Sequence, residues 1–202
     1  MSHSAFCRWS LPLFVAAGLG AQTTKPAAAP AFAWPVPQGW GHETIPFPLD
    51  FAPELKHKGI EELRFMPGFF DPASPNWWSY AFVWVLDDAE LPSMKQLEPE
   101  VTLYFKGLCT AVGGKKGFRM DPAQFQCRLK EDPGLKGYRG QVGIYDAFKT
   151  GEALTLQLRI KSWKGAGRRF VAVAASPKLP PAAPWAELDE CLSQALETSS
   201  KP

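Results

Sequence analysis

The most aromatic segment of the chain is PNWWSYAFVWVL, residues 75–86, with three tryptophans, one tyrosine and one phenylalanine in twelve positions. Alternate side chains of a β-strand point to opposite faces. One face would carry Trp78, Tyr80, Phe82, Trp84 and Leu86, and the other would carry Trp77, Ser79, Ala81, Val83 and Val85. Because both faces are largely apolar, the pattern predicts a central strand that is covered on both sides. The face with small side chains would let a helix approach closely.

Five further segments have the pattern of strands. The segment 59–65 precedes the aromatic one, and the segments 124–130, 138–145, 153–163 and 169–175 follow it, with glycine-containing turns between these last four. The segment 153–163 alternates most clearly, with Thr155, Gln157, Arg159 and Lys161 opposite a row of leucines and one isoleucine. One of its faces is therefore expected to pack, and the other to meet water or a polar cavity.

Two segments have the apolar spacing of helices. In residues 92–113 the apolar positions recur every three or four residues, and Gly113 and Gly114 supply an end. Asp87 or Asp88 could cap its first turn, and Pro99 would suit the first turn of a second segment. Residues 184–197 form a closing amphipathic helix with a proline at its start.

The resulting element order, β-β-α-β-β-β-β-α, predicts an α+β domain over residues 39–199. Consecutive strands with short turns indicate a single antiparallel meander sheet of about six strands, with the two helices packed on it. Prolines at 46, 48 and 53 exclude residues 39–58 from a central strand, so these residues are expected to form an ordered arm. The order is similar, at the level of the fold, to that of helix-grip and cone-shaped α+β domains, which implies an apolar cavity between a curved sheet and a long helix.

The N-terminus has the pattern of a secretory signal peptide. Arg8 precedes the apolar run LPLFVAAGLG, and small residues follow, so cleavage is expected after Gly20 or Ala21. Residues 22–38 are rich in alanine and proline and are expected to form an extended tether. We therefore expect an exported protein, periplasmic or extracellular, and no later segment is long and apolar enough to cross a membrane.

Charge and cysteine content narrow the classes of partner and cofactor. The net charge of +2 gives no electrostatic reason to expect nucleic acid or an anionic membrane. Without residues 1–21 the chain keeps Cys109, Cys127 and Cys191, which we expect to be buried thiols, with Cys109 and Cys127 as the pair if a disulfide forms. The sequence contains no CxxC motif, no cysteine and histidine spacing typical of zinc and no GxSxG elbow, so we expect no metal and no cofactor.

Two groups of residues are candidates for a functional site. The aromatic face could line a ligand pocket, because pockets are mostly apolar and aromatic; the alternative is an ordinary core. The candidate ligand-binding residues are Trp78, Tyr80, Phe82 and Trp84, with Tyr138 and Tyr145 as neighbours. A second candidate is an acid–base set of His42, Glu43 and Asp50, although no second histidine accompanies His42 as a metal motif would require.

These patterns favour a non-catalytic ligand-binding or accessory module for an apolar or aromatic small molecule. Two alternatives stay open. One is a hydrolase-type enzyme that uses His42, Glu43 and Asp50. The other is an interaction module of the cell envelope, in which the ordered arm or an edge strand contacts a protein partner. A binding module predicts an enclosed cavity of at least about 300 Å³ beside the aromatic face. An enzyme predicts that His42 lies within hydrogen-bond reach of a carboxylate, and an interaction module predicts an exposed apolar patch of several hundred Å².

Overall fold

One antiparallel sheet of seven strands runs through the computed structural model, which describes residues 32–88 and 90–199. The predicted signal peptide, 1–21, and the first part of the predicted tether, 22–31, lie outside the described residues. The strands are β1 (Gly41–Pro46), β2 (Gly59–Phe65), β3 (Tyr80–Leu86), β4 (Cys127–Asp132), β5 (Gly137–Tyr145), β6 (Ala153–Gly165) and β7 (Arg168–Ser176), and the α-helices are α1 (Met94–Gly113) and α2 (Trp185–Ser199).

The sheet joins two meanders. Its strand order is β1-β2-β3-β7-β6-β5-β4, so α1 carries the chain from β3 to the far edge, and three hairpins bring it back to pair β7 with β3. The predicted α+β class and antiparallel sheet are confirmed. The predicted count of about six strands is wrong, because β1 forms a seventh within the predicted arm. Pro46 is compatible with β1 because it is the last residue of an edge strand, where a missing N–H costs no central ladder bond.

Strand β3 is central, and all seven of its residues are buried. Its bulky face packs against α1, through helix residues that include Leu97, Val101, Tyr104 and Phe105. Its small face, continued by alanines of β7, packs against α2 through residues that include Leu188, Leu192 and Ala195. The predicted cover on both faces is therefore confirmed, with one helix on each side of the sheet.

Trp77 and Trp78 differ from the predicted strand pattern. The strand begins only at Tyr80, and Trp78 lies in the preceding turn with φ +53°, a left-handed conformation that is unusual for a bulky side chain. Both tryptophans lie on the α1 side, whereas strand alternation would have separated them. The Nε1–H of Trp78 donates to Oδ1 of Asp146 at 2.9 Å, which ties this turn to the β5–β6 turn.

The segment before β1 packs on the α2 side of the sheet, where Arg64 holds it. The guanidinium of Arg64 donates to the carbonyl oxygens of Trp34 (2.6 Å) and Pro35 (3.1 Å), and its Cζ lies 4.4 Å from the Trp34 ring centroid. Glu62 pairs with the same guanidinium at 3.0 Å. The Nε1–H of Trp34 donates to the carbonyl oxygen of Cys191 at 3.0 Å, so the segment is fixed to both the sheet and α2.

Helix α1 is one continuous helix with Pro99 inside it, not two segments. Its N-cap is Ser93, whose N–H and Oγ–H both donate to Oε1 of Gln96, at 2.9 and 2.8 Å. Asp87 and Asp88, the predicted caps, lie upstream of the helix. A capping interaction between Ser93 and a residue three positions later is typical of helix N-termini.

Side chains of α1 also protect the β4 edge of the sheet. Oε1 of Glu98 accepts the N–H of Leu129 at 2.8 Å, and Oγ1 of Thr102 accepts the N–H of Cys127 at 3.1 Å. Both of these N–H groups would otherwise be unpaired on an edge strand. Such cover reduces pairing with a further strand at this edge.

The three cysteines Cys109, Cys127 and Cys191 are free and buried, as expected of small apolar side chains. Burial raises the pKa of each thiol to about 12. The thiolate is the reactive form of cysteine, so these thiols are structural and not nucleophilic.

Gly107 provides a test of the packing between α1 and the segment that precedes β2. A Cβ at this position would clash with the carbonyl oxygen of Phe51. Alanine is the better helix former by about 1 kcal/mol, yet we expect Gly107→Ala to lower the free energy of unfolding by about 1–3 kcal/mol because backbone cannot yield as a side chain can. Urea unfolding followed by tryptophan fluorescence measures this change.

Gly114→Ala is the matched control. Gly114 has φ −59°, and a Cβ there would meet open space. We expect this variant to be neutral or more stable by up to about 1 kcal/mol. If Gly107→Ala is as stable as Gly114→Ala, the backbone at Phe51 does not pack closely against α1 at Gly107.

Candidate functional site

The predicted aromatic wall is a packed layer between the sheet and α1. Trp78, Tyr80, Phe82 and Trp84 are each at most 1% exposed. The ring of Tyr104 from α1 stacks on Phe82 with centroids 4.8 Å apart. Centroids of neighbouring rings along β3 are 5.7 Å apart for both adjacent pairs. These separations are typical of favourable aromatic contacts, so the rings fill the space above the strand.

Tyr138 and Tyr145, the predicted neighbours of the wall, lie on β5 and are half-buried. Tyr145 packs against Phe125 at 5.6 Å, and its hydroxyl oxygen accepts the N–H of Asp121 at 2.9 Å. Both tyrosines border the same core as the aromatic layer. Neither lines the groove described below.

A carboxyl group lies inside the aromatic layer. Glu61 of β2 is fully buried, and its Oε1 accepts the Nε1–H of Trp84 at 3.1 Å. Loss of solvation on burial, partly offset by the Trp84 and Tyr104 hydrogen-bonding groups, raises its pKa to about 8. At neutral pH the folded protein therefore holds Glu61 as a neutral acid, which can donate as well as accept.

Two tyrosine hydroxyls accompany this carboxyl. Burial raises the pKa of Tyr104 and of Tyr80 well above the usual value, so both stay protonated. The Tyr104 hydroxyl interacts with both Glu61 and Tyr80. Neither Oε2 of Glu61 nor the Tyr80 hydroxyl has a partner of regular hydrogen-bond geometry in the described part of the chain. The layer thus contains a small cluster of polar side chains, Glu61, Tyr80 and Tyr104, that is buried away from solvent.

A groove of about 500 Å³ opens at the N-terminal end of α1, beside this layer. His57, which precedes β2, lies in it with Nδ1 2.7 Å from Oδ2 of Asp88 and Nε2 3.3 Å from Oε2 of Glu100. The imidazole centroid is 5.9 Å from that of Trp84 and 5.7 Å from that of Phe47. The groove is lined by Glu54, Leu55, Lys56, His57, Asp88, Glu90, Leu91, Pro92, Gln96, Glu100 and Leu103.

The carboxylates of Asp88 and Glu100 favour the charged form of His57. Burial by itself lowers the pKa of the imidazole, but the nearby carboxylates of Glu100 and Asp88 outweigh it and raise the pKa. Of the two, only Asp88 has regular hydrogen-bond geometry with the ring. A raised pKa favours the imidazolium, which can donate from both ring nitrogens at once. The histidine and the two acids therefore form one charge-coupled cluster at the groove.

The predicted acid–base set is not brought together. His42 and Glu43 are neighbours in β1, so their side chains point to opposite faces of the sheet. Their register partners in β2 are Arg64 and Leu63, which lie on the α2 and α1 sides respectively. Asp50 is exposed in a turn, and within residues 32–88 and 90–199 no hydrogen bond or ion pair joins it to His42 or Glu43.

The sequence analysis missed both the buried carboxyl and the cluster around His57. A signal for the first was present: in GIEELRF, Glu61 shares strand parity with Leu63 and Phe65, which places a carboxyl on an apolar face. The approach of Asp88 and Glu100 to His57 depends on contacts across 31 and 43 residues, and no local pattern encodes it.

Within the described residues, no group of three or more histidine, cysteine, aspartate or glutamate side chains is arranged to hold a metal ion. The same residues contain no helix with the length and apolar character that a bilayer crossing requires.

No family model, curated protein or solved structure matches this chain. The groove, the His57 cluster and the buried carboxyl are therefore the observations from which a function can be inferred.

Titration of Glu61 gives a prediction for stability. In the unfolded chain this carboxyl loses its proton near 4.5, whereas the folded protein keeps it until about 8. Between these values the folded state binds more protons, so rising pH disfavours folding. Relative to Glu61→Gln, we expect the wild type to lose on the order of 4 kcal/mol of unfolding free energy from about pH 5 to about pH 8. Urea unfolding at a series of pH values measures the difference.

Glu131→Gln, at an exposed position of β4, is the control and should follow the wild type at every pH. Parallel pH profiles for the wild type and Glu61→Gln would mean that Glu61 is not held neutral in the folded protein.

Proposed function

We propose that this protein is a non-catalytic binding module for a small apolar or aromatic molecule that carries a positively charged group. The groove beside His57 is the proposed site. Its volume of about 500 Å³ is within the range of about 300–1,000 Å³ that is usual for small-molecule sites.

The charge of the groove supports a cationic ligand. Its lining contains four carboxylates and two basic side chains, namely Glu54, Asp88, Glu90 and Glu100 against Lys56 and His57. Glu90 is already paired with Lys164 at 2.9 Å, and of the other three acids Asp88 and Glu100 flank the imidazole of His57. Even with His57 charged, the lining has four carboxylates against two cations, so an ammonium group would meet a net negative charge.

The apolar side chains of the groove support an apolar body on the ligand. Leu55, Leu91 and Leu103 line it together with the charged groups, and the His57 ring stands against Trp84 and Phe47. A few polar groups in an apolar lining are the usual composition of ligand sites. We include the helix-grip layout in this proposal, with the ligand bound outside the aromatic layer, at the end of α1 where the groove opens.

We also propose that the module acts outside the cytoplasm, periplasmic or extracellular. The support is the N-terminal sequence alone, in which a basic residue, an apolar run and small residues follow one another.

A hydrolase-type function has less support. The contact between His57 and Asp88 is of the kind that orients a general base. However, none of the described residues that line the groove carries a nucleophilic hydroxyl or thiol.

Phenethylamine is a suitable probe because it joins an aromatic ring to an ammonium group. We expect it to bind the wild-type protein in isothermal titration calorimetry, and to bind more tightly than phenylacetate or phenylethanol of similar size. Glu100→Gln should weaken phenethylamine binding about tenfold or more, because a hydrogen bond to a charged group contributes about 1.5–3 kcal/mol.

The control is Glu131→Gln, which removes one exposed carboxylate far along the chain from the groove and should leave the affinity unchanged. Equal binding of the amine and the carboxylate, or no loss in Glu100→Gln, would contradict the groove as a cation site. Absence of binding by all three compounds would contradict the proposed ligand class.

A further inference from the structure

One face of β4 and β5 is covered by no described helix. On this side of the sheet α2 packs over β3 and β7 and reaches β6 at Arg159 and Trp163, whereas α1 covers the opposite face of β4 and β5. The side chains of the open face are polar, exposed or half-buried, and basic except for one acid: Arg128, Lys130, Asp132, Arg139, Gln141, Gln157 and Arg159. They surround a concave region of about 590 Å³ with Pro180 at its rim.

Three cations of this open face stand in one row across the strands. Lys130 of β4 lies directly opposite Arg139 of β5, and Arg139 lies directly opposite Arg159 of β6. Like charges in directly opposed positions of an antiparallel pair are destabilising. The opposition of Lys130 and Arg139 is therefore unfavourable where no acid offsets it.

Two acids compensate the charge of the row in part. Arg159 pairs with Asp189 of α2, and Arg139 is 3.6 Å from Asp132 with more than half of its side chain exposed. Lys130 pairs with no acid in residues 32–88 and 90–199. Arg128, one row away on the same face, donates only to the neutral acceptors Cys127 O and Gln126 Oε1.

The row is a local feature and does not follow from a generally basic chain, because the whole chain has a net charge of only +2. An anionic partner at this face would relieve the repulsion. We propose that the open face binds an extended acidic segment of a partner polypeptide. The inference concerns a second surface, on the other side of the sheet from α1, and does not depend on the groove beside His57.

The side chains of the face favour a polypeptide as the anion. Guanidinium groups bind carboxylates through two parallel hydrogen bonds. Gln141 lies directly opposite Gln157, and their amides can both donate to and accept from backbone peptide groups. Leu179, 68% exposed next to Pro180 at the rim, offers an apolar contact for an aliphatic side chain. Nucleic acid, in contrast, is usually bound by domains with a large excess of positive charge.

Fluorescence anisotropy with labelled hexaglutamate tests the proposal on the full chain. We expect hexaglutamate to bind, hexalysine not to bind, and the affinity for hexaglutamate to fall at least about tenfold in a Lys130→Gln, Arg139→Gln double variant. The matched control is Lys95→Gln with Lys106→Gln, which removes the same charge from exposed positions of α1 and should leave the affinity unchanged.

The stability of the unliganded variants gives a second readout. If the row repels itself, Lys130→Gln with Arg139→Gln will unfold at the same or a higher urea concentration than the wild type. Equal losses of affinity in both double variants would overturn the proposal, since the attraction would then be diffuse. So would the absence of hexaglutamate binding, or tighter binding of an oligothymidylate of equal charge.

Discussion

Strand β3 must bury both of its faces, and the two faces need partners of different shape. One is a row of aromatic rings, and the other is a row of alanine and valine side chains. Helix α1 supplies aromatic and branched side chains that fit between the rings, whereas α2 approaches the small face. The position of both helices, and the central place of β3 between β2 and β7, follow from this one requirement.

The aromatic layer has a consequence for the chemistry of the protein. Once α1 closes it, any polar group inside must find a partner or lose its charge. Glu61 does both, since it accepts from Trp84 and its pKa is raised to about 8. The charged groups His57, Asp88 and Glu100 lie just outside, at the end of the layer where the groove admits solvent. The layer therefore serves as a rigid, neutral wall behind a charged groove.

The sequence predicted the elements well where one residue pattern determines one structure. Alternation in size along β3 and alternation in polarity along β6 each determined which side chains face the core. The sequence-based prediction failed where contacts between residues distant in the chain determine the local structure. The pairing that makes β1 an edge strand, the turn that removes Trp78 from β3, and the approach of Asp88 to His57 all depend on residues distant in the chain. Strand parity places Glu61 on an apolar face, but its carboxyl becomes neutral only when α1 covers it, and no local pattern encodes that cover.

The layer between β3 and α1 is closed at neutral pH and keeps Glu61 protonated. Infrared spectroscopy of the protein with isotope-labelled glutamate can detect this proton when the wild type is compared with Glu61→Gln. We expect one protonated carboxyl band at neutral pH in the wild type that is absent from the variant and disappears only above about pH 8. A spectrum with ionised carboxylates alone at neutral pH would mean that water reaches Glu61 and that the layer is open.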